Sequence, residues 1–188
     1  MKINLFSIPI HVTNVDTSKI LLKSEEFKKN WVSNTTSSFG CKNTLNADSH
    51  NYLMHSICGL LHPHLNGKTE IELLNFWQNK YIDNDFQENH IHTKSHFSFI
   101  IYVSGKESKT VFFAPHKYIL ECFYEDMFYD SSYETTLRPG QIIIFPSFLE
   151  HMVKKNSGTI TYAGNLKMIK HESSQTIYKK EVQENGNN

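Results

Sequence analysis

The rhythm of apolar positions changes near residue 73 of this 188-residue chain. Ahead of that point two segments follow a helical spacing. In residues 16–34, Ile20, Leu21, Phe27 and Trp31 recur at roughly helical intervals between polar residues, which predicts a helix. In residues 48–65, Tyr52, Leu53, Ile57, Leu60 and Leu61 fall toward one face, with Asp48 or Ser49 as N-cap and Pro63 as the stop. A weak alternation from Lys2 to Val12 predicts a first strand, with Pro9 suited to an edge or a strand end. Residues 33–46 are rich in Ser, Thr, Asn and Gly and read as an exposed connection.

Beyond Leu73, short apolar or aromatic runs recur between turn signals: IELLNFWQN, HFSFIIYVSG, KTVFFAP, YILECFYED, GQIIIFPSF and TITYAGNLKMI. Such spacing predicts an antiparallel β sandwich or barrel. Helices followed by a run of strands give an α+β plan that is mainly β. The length suits a single domain over residues 1–188, with the polar tail from about His171 fraying. The aromatic and acidic stretch from Tyr118 to Glu134 is a candidate lid or a contact in a homodimer.

Composition narrows the partners. Lys and Arg number 19 against 19 Asp and Glu, so no net field draws nucleic acid or an anionic membrane. Arg138 is the sole arginine. Cys41, Cys58 and Cys122 are odd in number and lack CxxC spacing, as expected of reduced thiols in the cytoplasm. The opening residues, broken by Pro9, have no cleavage site of a signal peptide, and no apolar run approaches the roughly 20 residues that span a bilayer. A cytoplasmic protein without membrane or nucleic-acid partners is the expectation.

The chain holds 11 histidines, most of them isolated. His90 and His92 differ because residues two apart project from one face of a strand, so both imidazoles can reach one ion. A third ligand must come from elsewhere in the fold. His151 follows His92 by 59 residues, at the exit of a strand launched by Pro139-Gly140 and halted by Pro146. Two close ligands and one remote ligand match the spacing of a facial triad with open positions for oxygen and substrate. His96, four residues past His92, suits a contact to a ligand or substrate better than a place on the ion.

These residues resemble a family of 2-oxoglutarate/Fe(II) oxygenases found in bacteria and phages, within the superfamily of the prolyl hydroxylases. The likeness runs nearly end to end. It includes LFSIPI at the start, Trp77-Gln78-Asn79 ahead of the histidine pair, and Ser95, Ser98 and Tyr102 around the next strand. Phe113-Ala114-Pro115 follows, then the most specific motif, FPSFLEHMVKKN around His151, and finally Asn165 at the close of the last core strand.

The resemblance implies a double-stranded β-helix (jelly roll, cupin-like) core with the N-terminal helices packed outside. It implies Fe(II) on His90, His92 and His151, and 2-oxoglutarate as co-substrate, with Tyr102, Thr159 and Asn165 beside it. Oxidative decarboxylation of 2-oxoglutarate with dioxygen would then drive oxidation of a C–H bond in a small-molecule or peptide substrate. Two positions depart from the superfamily. His92 stands where Asp or Glu is usual, and Thr159 stands where an Arg is expected to pair with the distal carboxylate of 2-oxoglutarate. Lys109, on the strand after YVSG, is the candidate replacement for that Arg. The same histidines also suit a three-histidine, cupin-like dioxygenase that does not use 2-oxoglutarate, or a metal-binding cupin-like protein without catalysis.

Overall fold

The strand Gln141–Pro146 shows how the core is built. Its run Ile142-Ile143-Ile144-Phe145 is apolar without alternation because both of its faces are covered. Ile142 and Ile144 pack outward against a helix, whereas Ile143 and Phe145 point into a second cluster inside the barrel. The turn ahead of it needs Gly140, whose φ of 85° follows Pro139 and lets the Gln141 N–H reach the Arg138 carbonyl.

The computed structural model describes residues 7–29, 34–65, 69–105, 108–118 and 131–170. Thirteen strands are defined among them. The first five are β1 (His11–Asn14), β2 (Leu22–Ser24), β3 (Lys28–Lys29), β4 (Thr36–Ser37) and β5 (Asn43–Leu45). Helix α1 (Ala47–Leu61) follows. The remaining strands are β6 (Thr69–Tyr81), β7 (Asp85–His90), β8 (Phe97–Ser104), β9 (Ser108–Phe113), β10 (Ser132–Leu137), β11 (Gln141–Pro146), β12 (His151–Asn156) and β13 (Thr159–Lys170).

Strands β6 to β13 wind between two sheets. One has the order β1-β11-β8-β13-β6-β4-β3 and the other β10-β9-β12-β7, with every pairing antiparallel. From β6 to β13 consecutive strands change sheet except at β9–β10, among the described residues. This is the double-stranded β-helix expected from the motifs. Gly164 lies where β13 crosses the Phe99 ring, and a Cβ there would collide with it.

Helix α1 covers the outer face of the larger sheet with Leu53, Ile57 and Leu61, all fully buried. Each such side chain contributes about 1.5–3 kcal/mol of transfer free energy. Its N-cap is Asn46, whose side chain accepts from the Ser49 N–H, rather than Asp48 or Ser49. Ser49 instead accepts the Leu21 N–H through its hydroxyl.

Two expectations fail in the N-terminal third. Residues 16–29 form no helix: Asp16 caps a single 3-10 turn (Thr17–Lys19), and β2 and β3 follow. Ile20 is buried while its neighbour Leu21 is 62% exposed, and both lie between the 3-10 turn and β2, so they form no helical stripe. One α-helix, not two, therefore packs outside the barrel among the described residues. Residues 34–46 are an exposed connection only in part. Thr35, Ser37 and Ser38 are buried, and β4 extends the larger sheet by pairing with Lys80 and Asn79 of β6.

Among the described residues the first strand is His11–Asn14, with 7–10 irregular; the expected strand's residues 2–6 lie outside the described residues, as do 119–130 and the tail from His171. Cys41 and Cys58 are free thiols. No helix among the described residues is long and apolar enough to cross a membrane.

Candidate metal centre

Strand β7 ends at His90, and β12 starts at His151; the two residues are direct partners across the antiparallel ladder. Backbone pairing alone thus brings their rings to 4.2 Å between centroids. His92 arrives differently. It lies past the end of β7, so the pair HxH closes a strand instead of opening one.

His92 is nevertheless tightly placed. Its N–H donates to the Ser147 carbonyl, and the Ser147 N–H donates back to the His96 carbonyl. Its ring stacks on Trp77 at 5.8 Å and 24°, and lies 5.2 Å from His151. One nitrogen from each of the three histidines lies within 4.8 Å of those of the other two, close enough to hold a metal ion.

Hydrogen bonds decide which nitrogens are free. The Nδ1 of His90 faces the Glu88 carbonyl at 2.6 Å, that of His151 the Leu149 carbonyl at 3.0 Å, and that of His92 the Asn165 Oδ1 at 2.7 Å. Each partner is an acceptor, so in each ring Nδ1 carries the proton and Nε2 keeps its lone pair. Burial pushes all three imidazoles below their ordinary range, and their mutual proximity pushes His92 and His151 further, with His92 brought down to about 4. Three neutral imidazoles with unspent Nε2 lone pairs are the donor set a divalent transition ion requires.

Asn165 is the hub of the support. Its Oδ1 accepts from both His92 and the Ser98 hydroxyl, each at 2.7 Å. Since Ser98 has spent its proton there, it accepts from Ser147, which accepts from Ser95. The serines and the asparagine that the motif spaced over some seventy residues thus form one chain ending on His92. His96 is exposed and stands apart from the cluster: its Nδ1 accepts the Met168 N–H at 2.9 Å, which ties the 92–96 turn to β13.

A cleft opens beside the three histidines. Trp77, Asn79 and Tyr81 from β6 form one wall; Gln87, Ile100, Thr161 and Ala163 complete it. Along β13, Thr159, Thr161, Ala163 and Asn165 alternate and are all buried, sharing the inward face. Thr159 is therefore inside, but its hydroxyl lies 3.3 Å from the buried Tyr102 hydroxyl and neither residue lines the cleft. Asn165 supports His92 and does not line the cleft either. Lys109 pairs through its backbone with Thr136, and its side chain lies outside the described residues. Sequence reasoning passed over Thr161, Tyr81 and Gln87. The signal for Thr161 was parity, two residues past the singled-out Thr159.

Known proteins resemble the chain in sequence and in fold. Residues 75–165, which carry β7 to β12 and most of their flanking strands, match the sequence profile of the family described as "Putative 2OG-Fe(II) oxygenase". No curated protein sequence matches the chain. Among solved structures, an oxidoreductase of the 2OG-Fe(II) oxygenase family from Burkholderia pseudomallei shares the fold at a TM-score of 0.50 and 9% identity, over 82% of this chain and 71% of that one. HygX from Streptomyces hygroscopicus, solved with nickel and 2-oxoglutarate, is similar at 0.49 and 10% identity, over 85% and 83%. A Pseudomonas putida prolyl-4-hydroxylase is similar at 0.45 and 13%, over 79% of each chain.

Proposed function

Taking as premise that the barrel matches the 2-oxoglutarate/Fe(II) oxygenases in sequence, we propose that this protein is a non-haem Fe(II) oxygenase that consumes 2-oxoglutarate and dioxygen to oxidise a C–H bond of a small-molecule or peptide substrate. The observation that carries the reading is the convergence of three neutral imidazoles, each with its Nδ1 proton spent on a fixed oxygen. His90, His92 and His151 would hold the ion facially, leaving three positions for the two chelating oxygens of 2-oxoglutarate and for dioxygen. When bound, the iron supplies the oxidative chemistry, and the protein supplies placement and exclusion of water.

The residues around the ion have distinct tasks. Trp77 and Asn165 fix the plane and tautomer of His92, so its lone pair points at one spot. Phe145 and Phe112 close the inner side of His151, with ring centroids 4.7 and 5.8 Å away, and keep water from that flank. The absence of a carboxylate from the triad leaves the full charge of a divalent ion to attract an anionic chelator.

A second reading keeps the ion and drops 2-oxoglutarate: a three-histidine dioxygenase whose substrate itself binds the metal. It is favoured by the lack of a charged side chain among the residues that line the cleft. Anaerobic Fe(II) titration with and without 2-oxoglutarate separates the two. The first reading expects a weak visible charge-transfer band with both present, succinate formed under air, and loss of iron binding in His151→Ala. No band and no succinate would leave the second reading.

A further inference from the structure

A co-substrate that chelates the ion with one end must place its other end in the cleft, and a carboxylate taken out of water there needs partners. The customary partner is a cation, yet none lines the cleft among the described residues. A buried charge that acts on this wall is of the wrong sign. Asp85 raises the Tyr81 phenol further above its ordinary range, after burial, and its carboxylate is spent on the Ile82 N–H and on Lys29.

The wall offers uncharged hydroxyls instead. Thr161 is 2% exposed and lines the cleft, and its Oγ1 makes no hydrogen bond. It sits opposite Asn79 and diagonal to Tyr81 on the β6–β13 ladder, near enough to the phenol to ease its ionisation as a hydrogen-bonding neighbour, but short of the geometry of a formed bond. Tyr81 itself donates to Gln87 Oε1 at 2.8 Å, and burial keeps its phenol protonated. Buried polar atoms are rarely left without a partner in a native fold, and an orphan that lines a ligand cleft points to the ligand.

We infer that Thr161, with Tyr81 beside it, holds the far end of the co-substrate through uncharged hydroxyls, with no cation beside them among the described residues. The inference rests on the oxygenase reading above and specifies how that site selects its 2-oxo acid. Hydroxyls bond a carboxylate and a carboxamide alike, whereas a guanidinium favours the carboxylate by charge and by its paired geometry. The site therefore accepts 2-oxoglutarate and its far-end carboxamide analogue with similar affinity.

Calorimetric titration of the full-length protein loaded with redox-inert Zn(II) tests this without turnover. The two 2-oxo acids are expected to bind within about tenfold of each other, and Thr161→Val to weaken both by about tenfold while leaving Zn(II) affinity unchanged. Since valine fills the space of threonine and removes an orphan hydroxyl, the metal-free variant should melt no lower than the parent. Tyr81→Phe serves as the second variant and should weaken both acids too. A preference for 2-oxoglutarate above about a hundredfold, or binding indifferent to Thr161→Val, overturns the inference and leaves the oxygenase reading intact. Failure of both acids to bind the parent protein overturns the 2-oxoglutarate reading and this inference with it.

Discussion

Replacing Asn165 by Ala tests whether the metal centre depends on a residue that never touches the ion. The asparagine Oδ1 takes two protons, from His92 Nδ1 and from Ser98 Oγ, both at 2.7 Å. Without it the His92 ring keeps its stacking on Trp77 and its place in the chain but loses the acceptor that selects the Nδ1–H tautomer. Removal of such an orienting partner lowers metal affinity by about 10- to 100-fold, or about 1.4–2.7 kcal/mol. The Ser98 hydroxyl, fully buried, loses one of its two partners at the same time and keeps Ser147 Oγ, which costs about 1 kcal/mol of fold stability. Anaerobic competition of Fe(II) or Co(II) against a chromophoric chelator reads the first loss, and urea unfolding of the metal-free protein reads the second. Asn165→Asp keeps an acceptor for both donors and should retain metal affinity. The reasoning fails if Asn165→Ala binds metal as tightly as the parent, or if Asp rescues no better than Ala.

Two further predictions follow from the same cluster. His92 is held at about 4 in the folded chain against about 6.5 when unfolded. The unfolded state therefore takes up the proton first, so stability is complete above about pH 6.5 and falls as the pH drops toward 4, by about 3 kcal/mol in all. Urea midpoints of the metal-free parent across that window, less those of His92→Asn, isolate the contribution; a flat difference would contradict a buried neutral imidazole. His96→Ala should leave metal affinity within about twofold while costing about 1 kcal/mol, because it removes only the acceptor of the Met168 N–H. A loss of metal binding there would mean the triad is misassigned.

The β-helix was legible because its strands are punctuated. Gly140 and Pro146 bracket the run that became β11, and similar signals isolate β8 and β13. The histidines could be paired from their spacing alone, although parity in a strand was the wrong mechanism for His92. That residue is placed by the Ser147 carbonyl and by Asn165, 73 residues away in sequence, and local pattern carries no information about such contacts. Polarity misled at residues 34–46. Ser37 and Ser38 are buried because Asn79, Asn43 and Ser24 satisfy their hydroxyls, so a polar run was folded inside instead of left outside. The false helix after Asp16 arose because Ile20, Leu21 and Phe27 fit a helical spacing while lying in the connections that flank β2 and β3. Thr161 shows the same limit in the cleft: its face was readable from parity, its lack of a formed hydrogen bond was not.

The three histidines do not share one platform. His90 and His151 ride on the smaller sheet as rungs of the β7–β12 ladder, whereas His92 takes its bearing from Asn165 on the larger one. An ion at their centre is consequently a rivet through the open edge of the sandwich, and its coordination is a gauge of the distance between the sheets. A ligand wedged into the cleft from the β6–β13 side would load that rivet, so the grip on the metal and the fit of whatever fills the cleft are set by one mechanical coordinate.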